Sequence, residues 1–260
     1  MAPRIALIGT GNVGFHLARR LFSLGCPPNY ILSQSIEKAQ LLIETLSLNS
    51  RLLESHDLTE ENLDFVIIAV PDNVVPEIVA KYKFATNTIL LHTSGSQPMS
   101  LLASQAAYGV LYPLQTFSKE KIVDFSKILI LIEGSDSTVL KKIQDLAQLL
   151  SGNVKMINSD QRLKIHIAAV FACNFTNKLF EYTEELLEGT DLELKNFQSL
   201  IDETTSKAIQ LGAHKAQTGP AKRGDSEVIS RHLEALSNQP ELLNVYEVMS
   251  NLLMKKNKEE

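Results

Sequence analysis

The chain has little cysteine, no concentrated positive charge and no apolar run long enough to cross a bilayer. Its two cysteines, Cys26 and Cys173, lie far apart with neither CxxC nor metal-like spacing, so neither a disulfide framework nor a metal site is implied. The 25 Lys and Arg are scattered among 30 Asp and Glu, leaving a net charge of −5. That balance gives no basic field for nucleic acid, and none is expected as a partner. The runs "FVIIAV" and "ILILI" are strand-length, far below the roughly 20 residues a membrane span requires. The opening "MAPRIALIG" carries one basic residue and a few apolar ones, too short for a secretory segment. A cytoplasmic protein with no membrane partner is expected. There is no internal repeat and no low-complexity segment.

What is present is a chain of 260 residues, enough for one large domain or two modest ones with a sizeable core. Its first part alternates apolar runs that end in turn residues with stretches at helical spacing. "RIALIG" precedes Val13, Leu17, Leu21 and Leu24. "YILS" precedes a helix over 37–46, and "DFVIIAVPD", "TILLHTSGS", "GVLYP", "ILILIEG" and "VKMIN" follow, with a helix over 137–150 between the last two. Such alternation predicts crossover units on a mostly parallel sheet, an α/β fold of the Rossmann type. From Asp160 onward the pattern is helical, over 160–187, 192–211, 225–236 and 241–253. The expected division is a dinucleotide-binding domain over 1–158 and an all-helical substrate or dimerisation domain over 159–260.

"IGTGNVG" sets Gly9, Gly11 and Gly14 in G-x-G-x-x-G spacing after a strand and at the opening of a helix. Gly9 suits the tight turn, Gly11 lets backbone approach a pyrophosphate, and Gly14 allows close packing of helix on strand. Amides of the first helical turn, with Thr10, Asn12 and Val13 in the loop, would face the anion. At the end of the second strand, where an acidic residue usually meets the ribose of NAD, the chain reads Ser33, Gln34, Ser35. These neutral groups favour NADP (NADPH), although Ser35 equally suits a helix N-cap. Ligands on such sheets lie outside the carboxyl ends of the strands. That rule nominates "AVPD" with Val70 and Pro71, "HTSGS" with Thr93, Ser94 and Gly95, and "YPLQT" with Gln115.

"HIAAVFACNFTNK" (166–178) is apolar enough to be core yet holds His166, Asn174, Asn177 and Lys178. At about 100° per residue His166 and Asn177 fall about 20° apart and Asn174 about 80° from His166. A buried helix with one polar strip across the cleft between domains is expected. Histidine changes charge near neutral pH, which makes His166 the candidate proton donor for a carbonyl or imine reduction. Asn174 and Asn177 would orient substrate or nicotinamide, and Lys178 is a weaker donor. In "TGPAKRGDS" (218–226) Arg223 is a fork-shaped candidate for a substrate carboxylate, while Asp225 suits a helix cap.

"IGTGNVG", "HTSGS", "GVLYPLQTFS", "AAVFACNFTNKL" and "TGPAKRGD" together resemble a family of Rossmann-like predicted NADP oxidoreductases whose helical C-terminal domain has no assigned function. More distantly the chain is similar to pyrroline-5-carboxylate reductase, ketopantoate reductase, deazaflavin-dependent NADP reductase and 3-hydroxyisobutyrate dehydrogenase. The resemblance implies hydride transfer and a helical domain of the 6-phosphogluconate dehydrogenase C-terminal type, often dimer-forming. In two of those relatives a lysine on the first helix after the sheet precedes an asparagine by one turn. Here Val170 or His166 stands where that lysine would be. The expected activity is NADPH-dependent reduction of a small carboxylate-bearing substrate, ketopantoate first and a pyrroline carboxylate second. The alternative is a non-catalytic NADP-binding sensor or dimeric interaction protein.

Overall fold

The computed structural model describes residues 2–256, and the chain forms two compact units that divide between Cys173 and Asn174. The first carries β1 (Ile5–Ile8), α1 (Asn12–Ser23), β2 (Tyr30–Leu32), α2 (Ile36–Leu46), β3 (Arg51–Leu52), β4 (Phe65–Ile68) and α3 (Val75–Lys81). β5 (Ile89–His92), β6 (Tyr108–Leu114), β7 (Leu129–Gly134), α4 (Ser137–Leu150), β8 (Asn153–Met156) and α5 (Ser159–Ala169) complete it.

Among the described residues the strands form an eight-stranded sheet in the order β3-β2-β1-β4-β5-β6-β7-β8. Neighbours are parallel except β6 and β7, which are antiparallel. The expected Rossmann-type, mostly parallel sheet is therefore present. β1, β4 and β5 are buried along their whole length, as strands covered on both faces must be. Alternation sorts their side chains: Ile5, Leu7, Ile67 and Leu91 join one core with residues of α1, α2 and α4. Ala6, Ile8, Val66 and Leu90 join the other, with Val75 and Ile78 of α3.

α5 begins with a reciprocal capping box in which Asn158 and Gln161 satisfy each other's backbone amides. It passes into a π-helical segment, Val170–Phe175. A π turn accommodates an extra residue, so the uniform step of about 100° behind the expected polar strip is interrupted. The expectation that this helix is surrounded by protein is also corrected. Within the single chain Ile167 is 49% exposed and Phe171 65% exposed.

The second unit holds α6 (Thr176–Leu187), α7 (Gln198–Leu211), α8 (Ala213–Ala216), α9 (Pro220–Arg223), α10 (Ser226–Ala235) and α11 (Pro240–Lys256). The helix expected over 192–211 starts later, a short 3-10 turn occupying Leu194–Phe197 before α7. A small cluster of Tyr182, Leu236 and Leu242 forms a core with Leu243, Val245 and Tyr246 against it. Leu186, Leu200, Ile209 and Leu211 remain exposed.

Candidate functional site

The glycine loop between β1 and α1 is built as its spacing requires. Gly9 has φ of +110°, and a Cβ there would lie 2.2 Å from the Ala69 carbonyl oxygen and 3.0 Å from Val70 Cγ1. A Cβ on Gly14 would lie 2.2 Å from the Gly9 oxygen. Both positions therefore exclude a side chain. Gly11 is the opposite case: nothing lies within 4 Å of the Cβ it lacks. It is the N-cap of α1 and, having no side chain, makes no capping bond to the amides of the first turn. A loop with room beside Gly11 and an uncapped helix end fits a diphosphate. The Asn12 side chain is committed elsewhere, donating to the Phe117 carbonyl at 2.8 Å, and Thr10 is buried.

Ser33, Gln34 and Ser35 follow β2. Ser35 caps α2, its hydroxyl oxygen accepting from Lys38 N at 3.2 Å and its proton going to Glu37 at 2.7 Å. That hydrogen bond holds the exposed Glu37 carboxyl below its ordinary value. Ser33 Oγ accepts from Ser35 N at 3.3 Å. These neutral hydroxyls thus already serve the turn.

The carboxyl ends of β1, β4 and β5 are joined by contact. Gly9 packs on Ala69, Thr93 N donates to Ile68 O at 3.2 Å, and the chain runs on to Gly95. Pro71 is exposed and opens the short turn carrying Asp72. Asp72 accepts a 2.5 Å bond from Ser96 Oγ, while the buried Ser94 hydroxyl accepts from Ser96 N and Gln97 N and so shapes its own loop. Gly95 lies beneath two side chains. A Cβ there would come within 2.6 Å of His166 Nδ1 and 2.8 Å of Tyr112 Cζ. Those two bond to each other, Tyr112 Oη to His166 Nδ1 at 3.0 Å, with their rings edge to face. β6 reaches this place because its pairing with β5 ends at His92–Val110, leaving Tyr112 beyond the last residue of the shorter strand. Gln115 is exposed, its Oε1 accepting from the backbone amide and hydroxyl of neighbouring Thr116.

A buried polar latch supports the pair. Arg162, one turn before His166 on α5, is 1% exposed. Its guanidinium reaches Glu133 of β7 at 2.5 Å, the Gln97 carbonyl at 2.5 Å and Ser159 Oγ at 3.2 Å. Glu133 also accepts from Ser159 N and Oγ. α5 is thereby tied at its first turn to both β7 and the loop after β5. His92 is fully buried, with Nδ1 accepting from Ser94 N at 3.1 Å. Burial first, and then the Arg162 cation, push its pKa down to about 4, so the imidazole is neutral with its proton on Nε2. Burial, then the Asp72 charge, push the Tyr112 phenol up to about 12.

In the second unit Asn174 and Asn177 are exposed. Lys178 pairs with Glu181 at 2.9 Å and lies over the Tyr182 ring, 4.4 Å from its centre. The Glu181 bond raises its pKa, which weakens it as a proton donor. Arg223 ends α9 with its side chain exposed. Asp225 caps α10 through a 3.2 Å bond from Val228 N, as expected of it. Among the described residues no group of three or more His, Cys, Asp or Glu could hold a metal, and no helix is long and apolar enough to cross a membrane.

Sequence reasoning nominated His166 and Gly95 but missed Tyr112, His92 and the Glu133–Arg162 latch. Tyr112 was within reach, since "YPLQT" was identified as a strand-end loop; the strand simply continues two residues further than its turn-like proline suggests.

Two family models match the chain. One is described as NADP oxidoreductase, coenzyme F420-dependent, over residues 4–95. The other is a domain of unknown function, DUF2520, over 128–252. No curated protein matches. Among solved structures, a candidate NADP oxidoreductase from Bacteroides fragilis is 34% identical over 98% of both chains, with a TM-score of 0.86. A protein from Thermotoga maritima is 23% identical over 98% of this chain and 99% of its own, with a TM-score of 0.77. A reductive aminase from Aspergillus terreus, solved with cyclohexanone and allyl amine, shares the fold at 15% identity. Its TM-score is 0.72, over 100% of this chain and 95% of that one.

Proposed function

The chain belongs to the family of the Bacteroides fragilis protein, and from that membership and its own match to an NADP oxidoreductase model over residues 4–95 we propose an NADPH-dependent reductase. Its substrate is a small carbonyl or imine compound bearing a carboxylate, ketopantoate first and a pyrroline carboxylate second. The observation that carries this reading is the unbroken line of contacts along the carboxyl edge of the sheet. It runs from the glycine loop through Ala69 and Thr93 to Gly95 and the Tyr112–His166 pair above it.

In this reading residues 1–158 bind the cofactor and 159–260 serve substrate and a second copy. Gly9, Thr10, Gly11, Asn12, Val13 and Gly14 hold the diphosphate. Ser33, Gln34 and Ser35 meet the 2′-phosphate, and Val70, Pro71, Thr93, Ser94 and Gly95 flank the ribose and nicotinamide. When bound, NADPH supplies the hydride. The chain's own work is to orient the acceptor and to protonate the heteroatom as charge develops on it. His166 is the source of that proton. Asn174, Asn177 and Gln115 orient, Arg223 grips a carboxylate, and Lys178, bound to Glu181, is the reserve donor. A cytoplasmic homodimer is part of the proposal. Its support is the exposed apolar side chains within each unit, Leu163 and Ile167 on α5 and Leu200 and Ile209 on α7, which water would otherwise cover.

The test has two steps. NADPH should raise the melting temperature more than NADH does, and a panel of keto acids and cyclic imines should oxidise NADPH, read by absorbance. His166→Gln should then cut turnover while NADPH binding stays unchanged; unaltered turnover refutes the assignment. NADPH stabilisation with no oxidation by any compound identifies a sensor.

A further inference from the structure

We infer that Tyr112 is the group that hands the proton to the substrate, and that His166 acts through it by restoring the proton to the phenol. The inference rests on the reductase reading and sharpens it. Three observations converge. Tyr112 and His166 are hydrogen-bonded at 3.0 Å, so one nitrogen of the imidazole is engaged by the phenol rather than by substrate. Both rings press on the backbone of Gly95, at the carboxyl edge where ligands of such sheets lie. The imidazole is delivered there by a helix whose first turn is latched by Arg162 and Glu133, so its approach to Tyr112 is set by buried ion-pair geometry.

The protonation of the phenol fits this order. Burial and the nearby Asp72 charge raise it, so Tyr112 rests as the neutral phenol and does not survive as a free phenolate. It can part with its proton only as another arrives. His166 in its cationic form donates from Nδ1 to the phenol oxygen. As hydride reaches the substrate carbon, the Tyr112 O–H bond breaks and a bond forms between that proton and the substrate oxygen or nitrogen. The His166 Nδ1–H bond breaks in turn and the phenol O–H is remade. The two electrons come from NADPH, which leaves as NADP+, and the net proton comes from His166. The imidazole ends neutral, with its remaining proton on Nε2 and Nδ1 accepting from Tyr112, and regains the lost proton from solvent. The other charged or titratable groups that bear on the Tyr112 phenol are Asp72 after β4, Arg162 on α5 and Cys173 in the π segment, with Glu133 of β7 paired to Arg162.

The experiment compares wild type, Tyr112→Phe and His166→Gln, each with NADPH and an oxidising compound from the panel. Tyr112→Phe should lower kcat by about 100-fold or more, in the range of a lost general acid, with the NADPH dissociation constant within twofold of wild type. His166→Gln should lower kcat as well, with the NADPH dissociation constant within twofold of wild type. A Tyr112→Phe enzyme within threefold of wild type overturns the relay and leaves the reductase reading standing. A wild type that oxidises NADPH with no compound overturns both. If Tyr112→Phe does not fold, 15N NMR of histidine-labelled wild type with NADP+ decides. The relay requires neutral His166 to carry its proton on Nε2, and an Nδ1–H tautomer overturns it.

Discussion

The two units of this chain solve opposite problems. In the sheet unit buried polar groups draw their partners from the same chain, although His92 Nε2 and Arg162 Nε are buried without one. Arg162, at 1% exposure, has a carboxylate, a carbonyl and a hydroxyl around its guanidinium, and β1, β4 and β5 leave no apolar side chain in water. In the helical unit the core is the small group around Tyr182, Leu236 and Leu242, while Ile209 is 79% exposed and Leu200 62% exposed. A sheet covered by helices on both faces closes on itself. Short helices with apolar residues on more than one side do not, because one layer covers only one face. The sheet unit is therefore equipped to hold chemistry in fixed geometry. The helical unit leaves large apolar side chains exposed in the single chain, which is the surface the proposed homodimer would use.

The sharpest way to break the first half of that comparison is to remove the counter-charge of Arg162. Glu133→Gln leaves a guanidinium buried without its carboxylate and weakens the acceptor for Ser159 as well. Loss of one partner of a buried pair costs about 3–5 kcal/mol, to be measured by urea denaturation. Replacing both residues by methionine should recover most of it, since the unpaired charge rather than the missing bond carries the penalty. A loss below about 1 kcal/mol in the single variant would mean that the latch is not what fixes α5.

How far the residues announced all this depends on the range of the physics involved. The glycine loop was legible because its requirements are local: Gly9 and Gly14 exclude side chains through neighbours set by the strand–turn–helix itself. The caps at Ser35 and Asp225 were legible for the same reason. The Tyr112–His166–Gly95 contact joins three positions far apart in the chain, and only the register of β6 on β5 brings them together. The π segment was hidden because "VFACNF" contains no glycine or proline to mark an irregularity. The exposure of that helix was hidden by composition, which is equally consistent with a core and with a face awaiting a partner.

A smaller effect sharpens the picture of a self-sufficient sheet unit through pH. Unfolded His92 takes up a proton around the ordinary imidazole value, whereas the folded protein resists until about 4. Between those values the unfolded chain binds more protons, so stability is full above about 6.5 and declines as pH falls toward 4, by up to about 3 kcal/mol. His92→Gln, which preserves an acceptor for Ser94 N, should flatten that decline in melts recorded from pH 7 to 4.5. An acid limb as steep as that of wild type would locate the proton uptake in another group.

The smallest effect on the single chain tests the proposed homodimer at α5, an element of the sheet unit that leaves apolar side chains exposed. Ile167 sits on the exposed apolar row of α5, so Ile167→Lys puts a charge where the proposed homodimer would bury a side chain. For an isolated chain such a surface change is worth under about 0.5 kcal/mol, and the helix itself should tolerate lysine well. For a dimer the same lysine must be desolvated without a partner, and sedimentation should show monomers where wild type shows dimers. Leu41→Lys is the control: Leu41 is 61% exposed on α2, outside that row, and its replacement should leave the sedimentation of wild type unchanged. If Ile167→Lys also sediments as wild type does, the row on α5 is not where two copies meet, and the exposed side chains of the helical unit must be accounted for by a different face.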